Sequence, residues 1–336
     1  MSMITKSAHL PTVDILRGIA AIMVCYFHFC TNSSYYGSYL PDTNWLKISG
    51  KYGWLGVEVF FVISGFVIPY SLHMSNYELK NIWSFIKKRW VRIEPPYIIT
   101  IFLILLNWKF NGWLWSYHVD INWLQVISHF FYLPQFLGYP WINEIFWTLA
   151  IEFQFYLFIA VTFVGFNHKH SWVKLLTAIL FLVPFLLYTD NRFLTSYASL
   201  FLLGISAFWY RTNQINKIIY GLIAVLLAVA AHFQFPLNNI SIPLVTLATS
   251  LIIAFVNWQS IFGSIAGKFS YSLYLTHGLV GGNFLFFTMY VSWVKDNEWI
   301  RMVLVLCALV LSMIFAWIFY KLVEQPSQHL SKKINL

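Results

Sequence analysis

The sequence predicts an all-α, polytopic membrane helix bundle, and three observations carry that prediction. Hydrophobic residues make up 59% of the chain and charged residues only 10%, against about 25% charged in a typical soluble domain. The apolar residues fall in segments long enough to cross a bilayer. The basic residues divide unevenly between the two sides that those segments define. Mean hydropathy is +0.67, and aromatics reach 20%, with 16 Trp and 32 Phe, which suits headgroup belts and packed helices.

Ten spanning segments are expected, at about 13–31, 54–73, 94–108, 145–166, 172–188, 194–210, 216–233, 241–257, 269–291 and 300–323. The third is short and opens at Pro95-Pro96, and the eighth is interrupted by polar residues, so a re-entrant form fits either. With the N-terminus cytoplasmic, fifteen of the 21 lysines and arginines fall inside, Lys6 among them, and six outside. An even number of spans then puts both termini in the cytoplasm. The net charge of +9 is thereby an inner-surface excess and calls for no nucleic-acid partner. The opening MSMITKSAHL lacks the basic, apolar and small-residue zones of a cleaved leader, so the first helix is expected to be retained. Cys25, Cys30 and Cys307 lie in or beside apolar segments and form no extracellular framework. Two outer loops are long, about 32–53 and 109–144, and residues 124–137 read equally as an interfacial anchor or an aromatic surface for sugar rings.

Ionisable groups within these segments are the functional candidates. Arg17 and His28 stand eleven residues apart in the first segment. That is three turns plus about 20°, so they share a face roughly 16 Å apart along the axis. His28 suits a general base near neutral pH, or polar glue between helices. Arg17 suits an anion contact from the cytoplasm, or a pair with Asp14. Glu58 opens the second segment at the depth of His28 and either orients that imidazole or pairs with an outer lysine. Ser64-Gly65 permit close helix approach. In the inner loop SFIKKRWVRIEPP, Arg89 and Arg92 suit phosphate oxygens and share a face if the stretch is helical; plain positive-inside bias explains them equally simply. Glu152 lies about two turns into the fourth segment, again at the depth of His28, where a carboxylate can fix an imidazole tautomer or stay neutral in a structural role. The ninth segment, KFSYSLYLTHG, turns Tyr271, Tyr274 and His277 toward the interior, where they suit lining residues and His277 equally suits polar glue between helices. His118, His129, His168, His170 and His329 fall in loops or tails and are given no role. No metal-ligand spacing and no phosphate-binding glycine loop stands out.

Five stretches and a tail, LRGIAAIMVCYFHF, GVEVFFVISGF, RWVRIEPPY, FWTLAIEFQFYLF, FSYSLYLTHG and VEQP, resemble the signatures of the acyltransferase type 3 family of integral membrane acyltransferases, in order and across nearly the whole chain. The chain departs from the pattern at Glu58, where Asp is commoner, and at Phe153, where many members carry a second acid, so that Glu152 would act alone. The resemblance implies a single transmembrane acyltransferase domain over residues 1–336, without a fused SGNH-type extracytoplasmic domain. It implies transfer of an acyl group, usually acetyl, from cytoplasmic acetyl-CoA to a hydroxyl of an extracytoplasmic glycan such as O-antigen, exopolysaccharide or a lipid-linked precursor. The setting would be a bacterial cytoplasmic (inner) membrane, and the partners membrane lipids and the acceptor glycan, with no metal. Arg17, Arg89 and Arg92 would hold the CoA phosphates. His28, supported by Glu58 or Glu152, would act on the acceptor hydroxyl, and one channel would join the two ends. Two rival classes use the same polar stripe: a glycolipid transporter or flippase without covalent chemistry, and a non-catalytic partner in a polysaccharide assembly.

Overall fold

The computed structural model describes residues 10–31, 33–34, 37–188, 190–235 and 240–335. Lys6 lies outside them. The architecture is helical: α1 (Pro11–Thr31), α2 (Trp45–Gly50), α3 (Gly56–Met74), α4 (Ile82–Leu114), α5 (Trp123–His129), α6 (Phe146–Phe166), α7 (Ser171–Leu187), α8 (Ala198–Arg211), α9 (Lys217–Gln234), α10 (Ser241–Phe255), α11 (Ile261–Lys268), α12 (Ser270–His277), α13 (Asn283–Thr288), α14 (Ser292–Lys295), α15 (Glu298–Phe319) and α16 (Gln325–Lys332). A two-residue antiparallel pair, Ser33–Ser34 with Gly37–Ser38, follows α1.

Six helical stretches among the described residues are long and apolar enough to cross a bilayer: Pro11–Thr31, Trp45–Met74, Leu79–Leu114, Phe146–Phe166, Lys217–Gln234 and Glu298–Lys332. Large apolar side chains stand exposed on their outer faces, among them Leu226 on α9 and Leu322 beyond α15. Such surfaces are stable against lipid and costly against water. The chain is a membrane protein. Of the other four expected spans, α7 and α10 are apolar but short, with 17 and 15 residues. Helix α8 has 14 residues, about 21 Å at 1.5 Å per residue, and is buried from Ala198 to Trp209. The 269–291 segment is helical from Ser270 to Thr288, with a π-helical turn at Gly278–Gly282 joining α12 to α13.

The largest correction concerns residues 82–93. They are not a loop: α4 runs through them unbroken for 33 residues with Pro95 and Pro96 in its interior. An interior proline removes its own N–H and clashes with the carbonyl four residues back. Pro95 and Pro96 therefore leave the carbonyls of Val91 and Arg92 without their helical donors, while Thr100 donates its hydroxyl to the Pro96 carbonyl at 2.8 Å. The basic stretch is helical, and its arginines are carried on a wall of the bundle.

Small residues set the closest packing. On α3, a Cβ at Gly65 would collide with the Phe201 backbone of α8, and one at Gly204 of α8 would collide with Val62 and Gly65 of α3. On α11, Gly267 lies against the Asp14 backbone of α1, and Gly18 of α1 against Ala266. Backbones in such contact pack by dispersion without bulky intervening side chains, as membrane helices favour. The 109–144 loop is also structured. Helix α5 buries Val126, Ser128 and His129 while Trp123, Leu124 and Ile127 remain exposed. Tyr132 beyond it stacks on Tyr97 of α4 at 5.2 Å between ring centroids.

Candidate active site

Two cavities among the described residues hold all the expected site residues except Glu58. The first, of about 100 Å³, takes Arg17 from α1, Ser64 from α3, Arg89 and Arg92 from α4, Thr148, Glu152 and Tyr156 from α6, Tyr271 and Tyr274 from α12, and Glu324 from the π-helical turn that follows α15. Arg89 and Arg92 reach it together because the helical spacing of three puts both on one face. The Arg89 guanidinium lies 5.4 Å from the Phe85 ring centroid and 5.6 Å from that of Tyr156, a cation–π arrangement that offsets part of its desolvation.

The acids of this cavity are satisfied by groups other than arginine. Glu152 Oε1 accepts from Ser64 Oγ at 3.1 Å and from the Tyr156 hydroxyl at 2.5 Å. Glu324 Oε2 accepts from the Ser272 N–H at 3.1 Å and hydroxyl at 2.5 Å, and its Oε1 accepts from Gln328 at 2.8 Å. Among the described residues, no ion pair or hydrogen bond ties the side chains of Arg17, Arg89 or Arg92 to a protein acceptor, and Arg89 Nε is buried without one. Three guanidinium groups around one small cavity, none paired to protein, make an anion-binding arrangement, since a buried cation is stable only with a counter-charge and acceptors. This donor set suits phosphate oxygens.

The second cavity is larger, about 360 Å³, and takes His28 and Phe29 from α1, Ile104, Asn107 and Trp108 from α4, residues 142–145 before α6, and His277, Gly278, Leu279, Gly282 and Asn283. The rings of His28 and His277 lie 5.1 Å apart between centroids, tilted by 37°. His277 is buried, and its Nδ1 lies 2.7 Å from the Tyr274 carbonyl and 3.2 Å from that of Leu273. A carbonyl only accepts, so Nδ1 carries the proton and Nε2 keeps its lone pair in the neutral ring. The π-helical turn lets Gly281 press against the Phe29 ring, where a Cβ would not fit.

Between the cavities stands a polar partition. The Tyr274 hydroxyl lies 2.7 Å from Thr148 Oγ1 and 3.2 Å from the Ile145 carbonyl, and Thr148 donates to that carbonyl at 2.8 Å. Thr148 and Tyr274 line the first cavity, and Ile145 lines the second. The shared face of Arg17 and His28 thus meets two cavities, with the arginine lining one and the histidine the other.

Three expectations change. Glu152 does not orient His28: it lies in the arginine cavity, bonded to Ser64 and Tyr156. Glu58 lines neither cavity; it is buried, and its Oε2 has no hydrogen-bond partner among the described residues. Tyr271, Tyr274 and His277 all line cavities, but the two tyrosines line the arginine cavity and His277, which bonds the Tyr274 carbonyl, the other. Phe153, at the position of the family's second acid, packs in the aromatic layer, stacked on Tyr132 at 4.8 Å. Sequence reasoning passed over Glu324, Tyr156, Asn107, Asn143 and Glu144. Glu324 was visible as an acid at the end of a long apolar helix, whereas the others become neighbours only through the fold.

His129, assigned no role on sequence grounds, is a structural pin. Its Nδ1 donates to the Gln125 carbonyl at 2.8 Å, and its Nε2 accepts from the Ile142 N–H at 3.0 Å. It thereby fixes the segment that carries Ile142 to Ile145 along the second cavity.

These features define a polytopic helical protein with a chamber lined by three arginines beside a two-histidine chamber. A family model described as an acyltransferase domain, of type 3, matches residues 10–321, and the chain belongs to that family. It is similar to the O-acetyltransferase OatA of Staphylococcus aureus (strain NCTC 8325), with 27% identity over 95% of this chain and 57% of that protein. It is also similar to a protein of Staphylococcus aureus (strain COL) named as a putative O-acetyltransferase, with 29% identity over 47% of this chain and 25% of that protein. The chain thus spans between a quarter and three-fifths of the length of these curated relatives. No solved structure matches.

Proposed function

We propose that this chain is a membrane O-acyltransferase that moves an acyl group, acetyl first among the candidates, from cytoplasmic acyl-CoA to a hydroxyl of an extracytoplasmic glycan or lipid-linked glycan. In this reading it crosses a bacterial cytoplasmic membrane ten times with both termini inside, the short helices α7, α8 and α10 and the segment from α12 to α13 completing the count. The observation that carries it is the trio of arginines without protein partners in one chamber, beside a chamber holding His28 and His277. The first suits the phosphates of a CoA thioester and the second suits hydroxyl activation.

In the proposed reaction His28 takes the proton of the acceptor hydroxyl as the C–O bond forms and the thioester C–S bond breaks. The CoA thiolate leaves and is protonated to the thiol. The lone pair held on His277 Nε2 supports an imidazolium at His28, and Glu152 and Glu324 moderate the charge of the arginines.

The test is base-labile acetate on surface glycan from cells that express the parent chain or His28→Ala at matched membrane levels. Ester with the parent and none with the variant is the expected result. Equal ester from both removes His28 from the chemistry.

A further inference from the structure

The histidine chamber carries a charge bias that is invisible in the sequence. Among the described residues its lining holds no lysine and no arginine, and Glu144 is its one carboxylate. Glu144 is exposed, which places a hydrated carboxylate at the rim. Around it are the side-chain amides of Asn107, Asn143 and Asn283 and the indole of Trp108. The amides are partly committed: Asn107 donates to Asn283 at 3.4 Å, Asn283 donates to the Leu279 carbonyl at 2.6 Å, and Asn143 Oδ1 accepts from the Ile145 N–H at 3.3 Å. The Asn143 amide donors, the Asn107 amide oxygen and the Glu144 carboxylate have no such bond among the described residues. Hydroxyls, which both donate and accept, match this mixture, and an indole beside them suits the apolar face of a sugar ring.

An anionic acceptor meets a different environment. A uronate or phosphate near the reacting hydroxyl would approach Glu144 with no lysine or arginine in the described lining to offset it, since the His28 imidazolium forms only once the acceptor hydroxyl has given up its proton, and juxtaposed like charges discriminate between partners. The arginine chamber has the opposite bias. We propose that Glu144 is a specificity-determining residue that makes the acceptor chamber select neutral or amine-bearing sugars over acidic ones. The inference rests on the acyl-transfer reading above and goes beyond it by assigning the charge class of the acceptor.

The test uses the purified full chain in proteoliposomes, with acetyl-CoA and two competing acceptors that differ only in one C6 group, cellobiose and cellobiouronic acid. Acetyl ester on each is quantified by mass spectrometry for the parent, Glu144→Gln and Glu144→Lys. The parent should favour the neutral sugar by roughly tenfold or more, and the preference should shrink as salt rises, because the carboxylate is at an exposed rim. Glu144→Gln should raise the acid-to-neutral ratio by about tenfold, and Glu144→Lys should raise it further. A gain toward one acceptor cannot come from misfolding, which lowers both. Ester formed on both sugars in one unchanged ratio across the three proteins overturns the charge filter and leaves the transferase reading standing. Transfer to neither sugar by the parent, together with no base-labile ester in the cell experiment above, removes that reading and this inference with it.

Discussion

His277 gives its Nδ1 proton to the carbonyl of Tyr274 at 2.7 Å, and the hydroxyl of that same tyrosine closes the partition at Thr148, also at 2.7 Å. One residue therefore fixes the tautomer of a histidine in one chamber and seals the other. The backbone and the side chain of Tyr274 do these two jobs separately, which makes them separable by mutation. Tyr274→Phe keeps the carbonyl and removes the hydroxyl. The seal should weaken while the His277 tautomer persists, so thioester cleavage should proceed with less ester formed. The measurement is the ratio of released CoA thiol to glycan ester, expected to rise severalfold over the parent. A ratio that stays constant while both rates fall would show that the hydroxyl stabilises the bundle without governing coupling. Loss of one buried hydrogen bond costs about 0.5–1.5 kcal/mol, so the variant should still fold.

The arginine chamber makes a prediction about donor affinity. Each charge-assisted hydrogen bond is worth about 1.5–3 kcal/mol, so Arg89→Ala or Arg92→Ala should raise the KM for acyl-CoA by about tenfold to a hundredfold. Lysine should restore only part of the loss, because it offers a point charge in place of a planar fork. Steady-state kinetics against acyl-CoA concentration decides it; KM unchanged with kcat reduced would place these arginines outside donor binding.

How much of this was legible depended on the kind of geometry asked for. Helical periodicity relates Arg17 to His28 and Arg89 to Arg92, because each pair lies within a single helix. Periodicity and depth failed for Glu152. Its height in the membrane matched that of His28, but height along an axis says nothing about the direction in which a side chain points across the bundle, and Glu152 points to Ser64 and the arginines. The paired prolines misled for a different reason. Pro95-Pro96 resemble a helix start because proline is favoured in a first turn, yet α4 absorbs both in its interior. The partition of Tyr274, Thr148 and Ile145 joins residues 126 and 129 positions apart, a relation that a single sequence does not carry.

Close packing of α3 against α8 predicts a stability effect with no chemistry in it. At Gly65 a side chain would meet the Phe201 backbone, which cannot rotate away as a flexible side chain could. Gly65→Val should therefore force the two helices apart and cost at least the roughly 1–3 kcal/mol typical of overpacking. The melting temperature in detergent should fall by several degrees, and Gly204→Val should do the same. Combining the two should cost less than their sum, since either one alone already separates the same pair of backbones.

His129 predicts the response to acid. It belongs to the 109–144 segment, outside the six spanning stretches, and burial holds its pKa below the ordinary histidine value. The neutral ring is the form built into the fold, since Nε2 must accept from the Ile142 N–H. The rings of Trp141 and Phe146 flank it at 5.5 and 6.1 Å. The unfolded chain, with histidine near about pH 6.5, binds this proton more readily than the folded chain. Stability is therefore complete above that value and falls as pH drops from about 6.5 toward the lower folded value. Protonation would turn Nε2 into a donor facing another donor and release the segment that carries Ile142 to Ile145. Thermal melts of the parent in detergent should lose stability between about pH 6.5 and 5. In His129→Gln the side-chain oxygen can accept from the same N–H but does not titrate, so the acid-dependent part of the loss should shrink even if stability at about pH 8 is lower. An identical pH slope in both proteins would assign the acid sensitivity to other groups and leave His129 as a pin without a switch.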